Sequence, residues 1–194
     1  MDMHFWGERL DYLRSFARDH RVLHIGPGRD EAFGVTLDIS PEVHPDVTHD
    51  LNSRPYPFPD ASFDAVYAFS VIEHVSEPIA VLAEVHRLLR PNGFVAVLTP
   101  HFSDVASYVD PTHRTHLSAR SFDYLIEGTE LFSAYGFYSQ ARYRIRHRLL
   151  MLQSPWRHVP ILQRAANRWI DPYERLACYV VRASGIYIEL EAIK

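Results

Sequence analysis

The sequence predicts a single-domain α/β fold built on a mostly parallel sheet. Three observations carry this. A buried strand pattern, "VLHI", runs into a Gly-x-Gly turn at Gly26 and Gly28. A second, "VTLD", ends in an acid at Asp38. From Phe63 to Thr99, strand, helix and strand patterns alternate. With 194 residues, 47% hydrophobic and 23% charged, the chain has the material for one core and is expected to form one domain over residues 1–194. Twenty basic against 24 acidic residues give a net charge of −4, which excludes a global electrostatic pull toward nucleic acid or an anionic membrane. Neither is expected as a partner. The single cysteine, Cys178, excludes an intrachain disulfide, and "MDMHFWGERLDYL" lacks the basic-then-apolar order of a secretion signal, so a cytoplasmic protein is expected. No uninterrupted apolar run approaches the roughly 20 residues that cross a bilayer.

Leu10, Leu13 and Phe16 or Ala17 recur at helical spacing, which predicts an amphipathic helix over Glu8 to His20 within an N-terminal segment 1–20. Between Gly28 and Gly34 only "RDEAF" remains, room for about one helical turn at ~1.5 Å per residue, so the first crossover helix is expected to be very short. Asp46 to Thr48 reads as a short third strand and "AVYAFS" as a fourth. "EPIAVLAEVHRLLR" carries Ile79, Leu82, Ala83, His86 and Leu89 on one stripe with Pro78 in the first turn, a helix that "RPNG" stops before the strand "FVAVLT". Pro100 to Leu117 is a long His-rich loop, leading to a short helix that Ser118 could cap. Loops above ~12 residues in compact domains are usually functional. After Gly136 a strand is expected to alternate strictly, with Arg142, Arg144, Arg146 and Arg148 on one face. Pro160 to Val181 reads as helix broken near Asp171-Pro172, and "IYIELEAI" as a last strand. Segments 100–128 and 150–182 would form the acceptor side.

A dinucleotide loop needs Gly-x-Gly-x-x-Gly and an acid ~20 residues on. Here Glu31 holds the third glycine's place, Pro27 removes a backbone N–H, and Asp38 follows the loop by about ten residues. Phosphates are disfavoured. A cofactor without phosphates fits, because glycines allow close approach, Asp38 can accept from ribose hydroxyls and Asp50 from an adenine amino group. S-adenosylmethionine meets that description.

In "VLHIGPG", "LDIS", "HDLN", "PFPDASFDAVYAFSVIEHV" and "LLRPNGFVAVLTP", taken in this order, the chain resembles the class I S-adenosylmethionine-dependent methyltransferases, in a compact bacterial branch with a near-missing first helix and a later "DPTH…SFDY" segment. The resemblance implies a Rossmann-like, seven-stranded sheet with an antiparallel last strand. It also implies S-adenosyl-L-methionine contacts at Gly26, Pro27 and Gly28 (methionine part), Asp38 (ribose), Ile39, Asp50 and Leu51 (adenine), and Phe69, Ser70 and His74 (methionine side). The lost helix leaves the methionine carboxylate without its usual partner, for which Arg29 is a candidate.

The loop histidines His101, His113 and His116, with Asp104 and Asp110, cluster at the carboxyl end of the fifth strand, where α/β folds hold ligands. His113 is the candidate general base, with Asp110 orienting its ring and His101 as a further catalytic candidate. The alternative is that Asp110, Thr112 and His113 only knit the loop. No recognised metal-ligand spacing is present, so no metal is assigned. The expected activity is methyl transfer to oxygen or nitrogen of a small-molecule acceptor, a sugar or natural-product intermediate being the kind considered. An S-adenosylmethionine-consuming cyclase releasing methylthioadenosine and a non-catalytic binding module both stay open, as do monomer and homodimer.

Overall fold

The computed structural model describes residues 3–194; the first two residues of the expected N-terminal segment lie outside it. Helix α1, Met3–Asp19, precedes β1, Val22–Ile25, and β2, Val35–Asp38, which pair in parallel. No helix is present between them among the described residues. Instead Phe33 turns inward, 7% exposed, beside the rings of His24 and Tyr67, and Glu31 ion-pairs with Arg14 of α1. Leu10, Leu13, Phe16 and Ala17 of α1 join Phe33, Tyr67 and Phe94 in one apolar cluster. The cover that a crossover helix gives a sheet face is here supplied by α1 and one phenylalanine.

Strand β3 is only Val47–Thr48; β4 spans Phe63–Phe69, α2 Pro78–Leu88 and β5 Leu89–Pro100. The strand thus begins at once where the helix stops, and "RPNG" forms its bulged start, with Asn92 at φ 63°. The long loop contains a four-residue helix, α3, Ala106–Val109. The helix expected after Ser118 is a 3₁₀ turn, Ser121–Leu125; Ser118 Oγ accepts from the Arg120 N–H at 2.9 Å. Helix α4, Glu130–Tyr135, leads to β6, Arg142–Leu152. Helix α5, Pro160–Arg168, breaks at Trp169 into α6, Ile170–Pro172, and a π turn, Tyr173–Ala177, before β7, Ala183–Ile193.

The sheet order is β3-β2-β1-β4-β5-β7-β6, with β7 antiparallel to both neighbours and the β1–β5 pairs parallel. This is the α/β architecture that the sequence predicts, with the antiparallel last strand that the family resemblance implies. None of the described helices is long and apolar enough to cross a membrane.

One expectation needs correction. The strand after Gly136 starts only at Arg142, because Gly136–Tyr138 makes a 3₁₀ turn in which Tyr138 packs near Tyr124 and Tyr135. Its arginines do not share a face. A register shift between Ile145 and His147 inserts an extra residue. Arg146 lies over the Phe94 ring, 4.3 Å from its centroid, whereas Arg148 pairs with Asp123 of the 3₁₀ turn.

Candidate active site

Strands β1, β2 and β4 end together at a cleft of about 320 Å³, within the range of small-molecule sites, which start near ~300 Å³. Its shape begins with Gly26. At φ 61°, this residue donates its N–H to the Leu37 carbonyl at 2.7 Å, and a Cβ there would lie 2.2 Å from Val71 Cγ2. Only glycine lets the first strand turn this close to the segment after β4. Ser70, at φ 49°, makes the matching turn at the end of β4 and donates its N–H to the Leu98 carbonyl.

Asp38 ends β2 at 7% exposure, accepting from the Gly28 N–H at 3.0 Å through Oδ2 and from the Ser40 N–H at 2.9 Å through Oδ1. The carboxylate therefore ties the glycine turn to the segment after β2 while itself lining the cleft. Asp50 accepts from both the backbone N–H and the side-chain amide of Asn52 through Oδ1, and Asn52 Oδ1 in turn accepts from the Ser76 N–H. Leu51, 7% exposed, closes the floor, its carbonyl accepting from the Tyr56 hydroxyl. Ile39, 64% exposed, stands at the rim.

Of the sequence-predicted cofactor residues, Gly26, Asp38, Ile39, Asp50, Leu51, Ser70 and His74 line this one cleft, together with Asn52, Val71 and Val75. Pro27, Gly28 and Arg29 line an adjoining hollow instead. Phe69 does not face the cleft. Period-two alternation turns it, with Tyr67, to the α1 side of the sheet, 5.3 Å from the His24 ring. His24 is 1% exposed there, and burial lowers its pKa to about 4. Among the described residues the cleft lining carries two carboxylates and neither Lys nor Arg.

At the His74 end the long loop arrives. The Glu73 carbonyl accepts from the Arg114 N–H at 2.8 Å and the Thr115 N–H at 3.1 Å, pinning "THRTH" to the turn after β4. His113 places Nδ1 3.0 Å from the Ser107 carbonyl, and its ring centroid 4.6 Å from that of His74. Asp110 does not hold that ring as a close partner: its Oδ2 is 4.0 Å from His113 Nε2, while its Oδ1 accepts from the Thr112 hydroxyl at 2.6 Å and N–H at 2.8 Å. The loop-knitting alternative describes Asp110 better.

His101 lies away from the cleft and is 0% exposed. Its Nδ1 accepts from the Ser103 N–H at 3.1 Å, so Nε2 donates to Glu174 Oε1 at 3.2 Å. Glu174 also accepts from the Ala119 N–H and the Ser118 hydroxyl. With both ring nitrogens engaged inside the core, His101 fastens the π turn to the loop, and the catalytic expectation for it is corrected accordingly. Asp104 accepts from the Ala106 N–H in the turn that leads into α3, and His116 stacks on Tyr108.

Sequence reasoning passed over Glu73. It is 2% exposed, Oε2 accepting from the Thr99 hydroxyl at 3.0 Å. Burial pushes its carboxyl above the ordinary range, against hydrogen bonds from its own N–H and Thr99. The signal was an acid inside the apolar run "SVIEHV", in a position where burial is costly unless something compensates.

A family model described as a methyltransferase domain matches residues 29–97. A Mycolicibacterium smegmatis protein named "Probable S-adenosylmethionine-dependent methyltransferase" is 37% identical over 86 residues, 42% of this chain and 33% of that protein. An uncharacterized methyltransferase of Schizosaccharomyces pombe is 44% identical over 39 residues, 20% of this chain and 14% of its own length. The chain thus spans a third or less of these curated relatives. Among solved structures, a SAM dependent methyltransferase from Archaeoglobus fulgidus superposes with a TM-score of 0.59 at 16% identity, over 98% of this chain and 94% of that one. That likeness is one of fold.

Proposed function

We propose that this chain is an S-adenosylmethionine-dependent methyltransferase, takes S-adenosylmethionine as its cofactor and transfers the methyl group to a hydroxyl oxygen of a small molecule. A nitrogen acceptor is the second choice. The observation that supports this most is the cleft at the ends of β1, β2 and β4: it has two carboxylates, no Lys or Arg, and a glycine turn that admits close approach. Such a lining repels phosphates and attracts a cationic sulfonium. Asp38 is positioned for the ribose hydroxyls, Asp50 with Leu51 and Ile39 for the adenine, and Gly26 with Ser70 for the methionine part.

Methyl transfer is an in-line displacement, and the sulfonium charge it removes is already on the cofactor. Positioning contributes most, with effective molarities of about 10⁵ to 10⁸ M against roughly 10² to 10⁴-fold from a general base. The acceptor oxygen would arrive beside Glu73, His74 and His113, where the loop from Pro100 closes over the methionine end. A sugar or natural-product hydroxyl suits a site of this size.

The test is an unbiased metabolite screen with labelled methyl on the cofactor. Label appearing in an acceptor together with S-adenosylhomocysteine is the expected result. Release of methylthioadenosine without labelled acceptor would replace transfer by cyclisation.

A further inference from the structure

Glu73, His74 and His113 each place one ligand atom within 4.8 Å of those of the other two. What surrounds them determines what they present. The Thr112 hydroxyl gives its proton to Asp110, so toward His74 Nδ1, 2.9 Å away, it can only accept; His74 Nδ1 carries the proton and Nε2 is bare in the neutral ring. His113 Nδ1 faces a carbonyl, which also only accepts, so its Nε2 is bare as well. Glu73 Oε1 is buried without a hydrogen-bond partner among the described residues, in a residue that is only 2% exposed. An unsatisfied buried carboxylate oxygen is costly, about 1–3 kcal/mol or more. Two imidazoles with Nδ1–H tied to oxygen acceptors and one carboxylate oxygen lacking a partner are what a metal ion's surroundings supply when its histidines are oriented from behind.

We infer that Glu73, His74 and His113 form a binding site for a divalent first-row transition cation that receives the acceptor hydroxyl at the methyl end of the cleft. Two nitrogens and one oxygen suit Zn²⁺, Mn²⁺, Co²⁺ or Fe²⁺ better than Ca²⁺ or Mg²⁺, which prefer all-oxygen cages. Three protein ligands leave positions open for a substrate oxygen, as catalytic sites do. Binding draws the three atoms together by roughly 1 Å to reach metal bonds of ~2.1 Å. Held there, the acceptor hydroxyl loses its proton to solvent more readily. Its oxygen forms the new bond to the methyl carbon as the carbon–sulfur bond breaks, the electron pair going to sulfur and leaving S-adenosylhomocysteine. No oxidation state changes. Thr112 is a positioning residue, acting through His74.

This inference rests on the proposed transfer reading but is tested apart from it, by titrating the chelator-treated full chain with Mn²⁺ or Zn²⁺ alone and following Mn²⁺ by electron paramagnetic resonance. One equivalent is expected to bind. His113→Ala and Glu73→Gln should each weaken it at least tenfold, Thr112→Val by about 10 to 100-fold, and His116→Ala not at all. Saturable S-adenosylhomocysteine binding by each variant shows that it is folded. Absence of stoichiometric ion binding in a wild-type chain that binds S-adenosylhomocysteine overturns the cation site and leaves the transfer reading intact; ion affinity unchanged by His113→Ala overturns it too.

Discussion

Single residues carry sharply different burdens in this chain. Gly26 is the most constrained, since a side chain there meets both a positive φ and a Val71 contact. Gly26→Ala should cost about 1–3 kcal/mol and, by displacing Val71, weaken S-adenosylhomocysteine binding; urea unfolding and calorimetry read the two effects. His24 offers a pH test. Its folded pKa of about 4 lies below its ordinary value of 6.5. The unfolded chain therefore binds the extra proton between those values, and the stability His24 contributes is complete above pH 6.5 and lost as pH falls toward 4. Thermal unfolding should show a midpoint falling from pH 7 to pH 5, with a smaller fall in His24→Phe. That Asp38 and Asp50 both reach the cleft was legible because each lies at or just after the carboxyl end of a neighbouring parallel strand. His101 was misread because sequence adjacency to a reactive-looking loop says nothing about which way a ring points. Only the tertiary partner, Glu174, 73 positions away, turns it into the core.

Elements show where local pattern suffices and where it does not. Helix α2 followed from its proline start and helical apolar spacing, but the face it buries is Val81, Leu82, Val85 and Leu88; of the expected stripe only Leu82 is on that face, and Leu89 already belongs to β5. The first crossover was expected to hold a very short helix; the described residues there form only turns, because the five residues between Gly28 and Gly34 leave room for barely one helical turn. What replaced it was not legible, since α1 and Phe33 reach that sheet face only through tertiary packing. The β6 bulge escaped notice for a related reason: strict alternation in "RYRIRHRLL" is compatible with an unbroken strand, and only pairing with β7 reveals the extra residue. The π turn after α6 is hydrogen-bonded to the loop through Glu174, which accepts from three donors: His101, Ser118 and Ala119. Glu174→Ala leaves those donors buried and unpaired, so a loss of about 2–4 kcal/mol is expected in chemical denaturation. Faster amide exchange should follow in Ser118 to Leu125 and Tyr173 to Cys178, with β1 and β4 unaffected.

At the scale of the molecule, the parallel strands β1, β2 and β4 bring together at one end the acids, the glycine turn and the long loop that the sequence separates by up to 90 positions. The fold is legible because alternation and motif order repeat the same message. The acceptor is not, because one architecture serves many substrates and the loop that would select it has no regular pattern. The central claim is that the cleft seats a phosphate-free adenosine. Calorimetric titration with S-adenosylhomocysteine and, separately, with NAD tests it most directly. Saturable binding of S-adenosylhomocysteine, weakened about 10-fold or more in Asp38→Ala by loss of charge-assisted hydrogen bonds, with NAD binding at least an order of magnitude weaker, is predicted. NAD binding as tightly, or S-adenosylhomocysteine failing to bind at millimolar concentration, would contradict it.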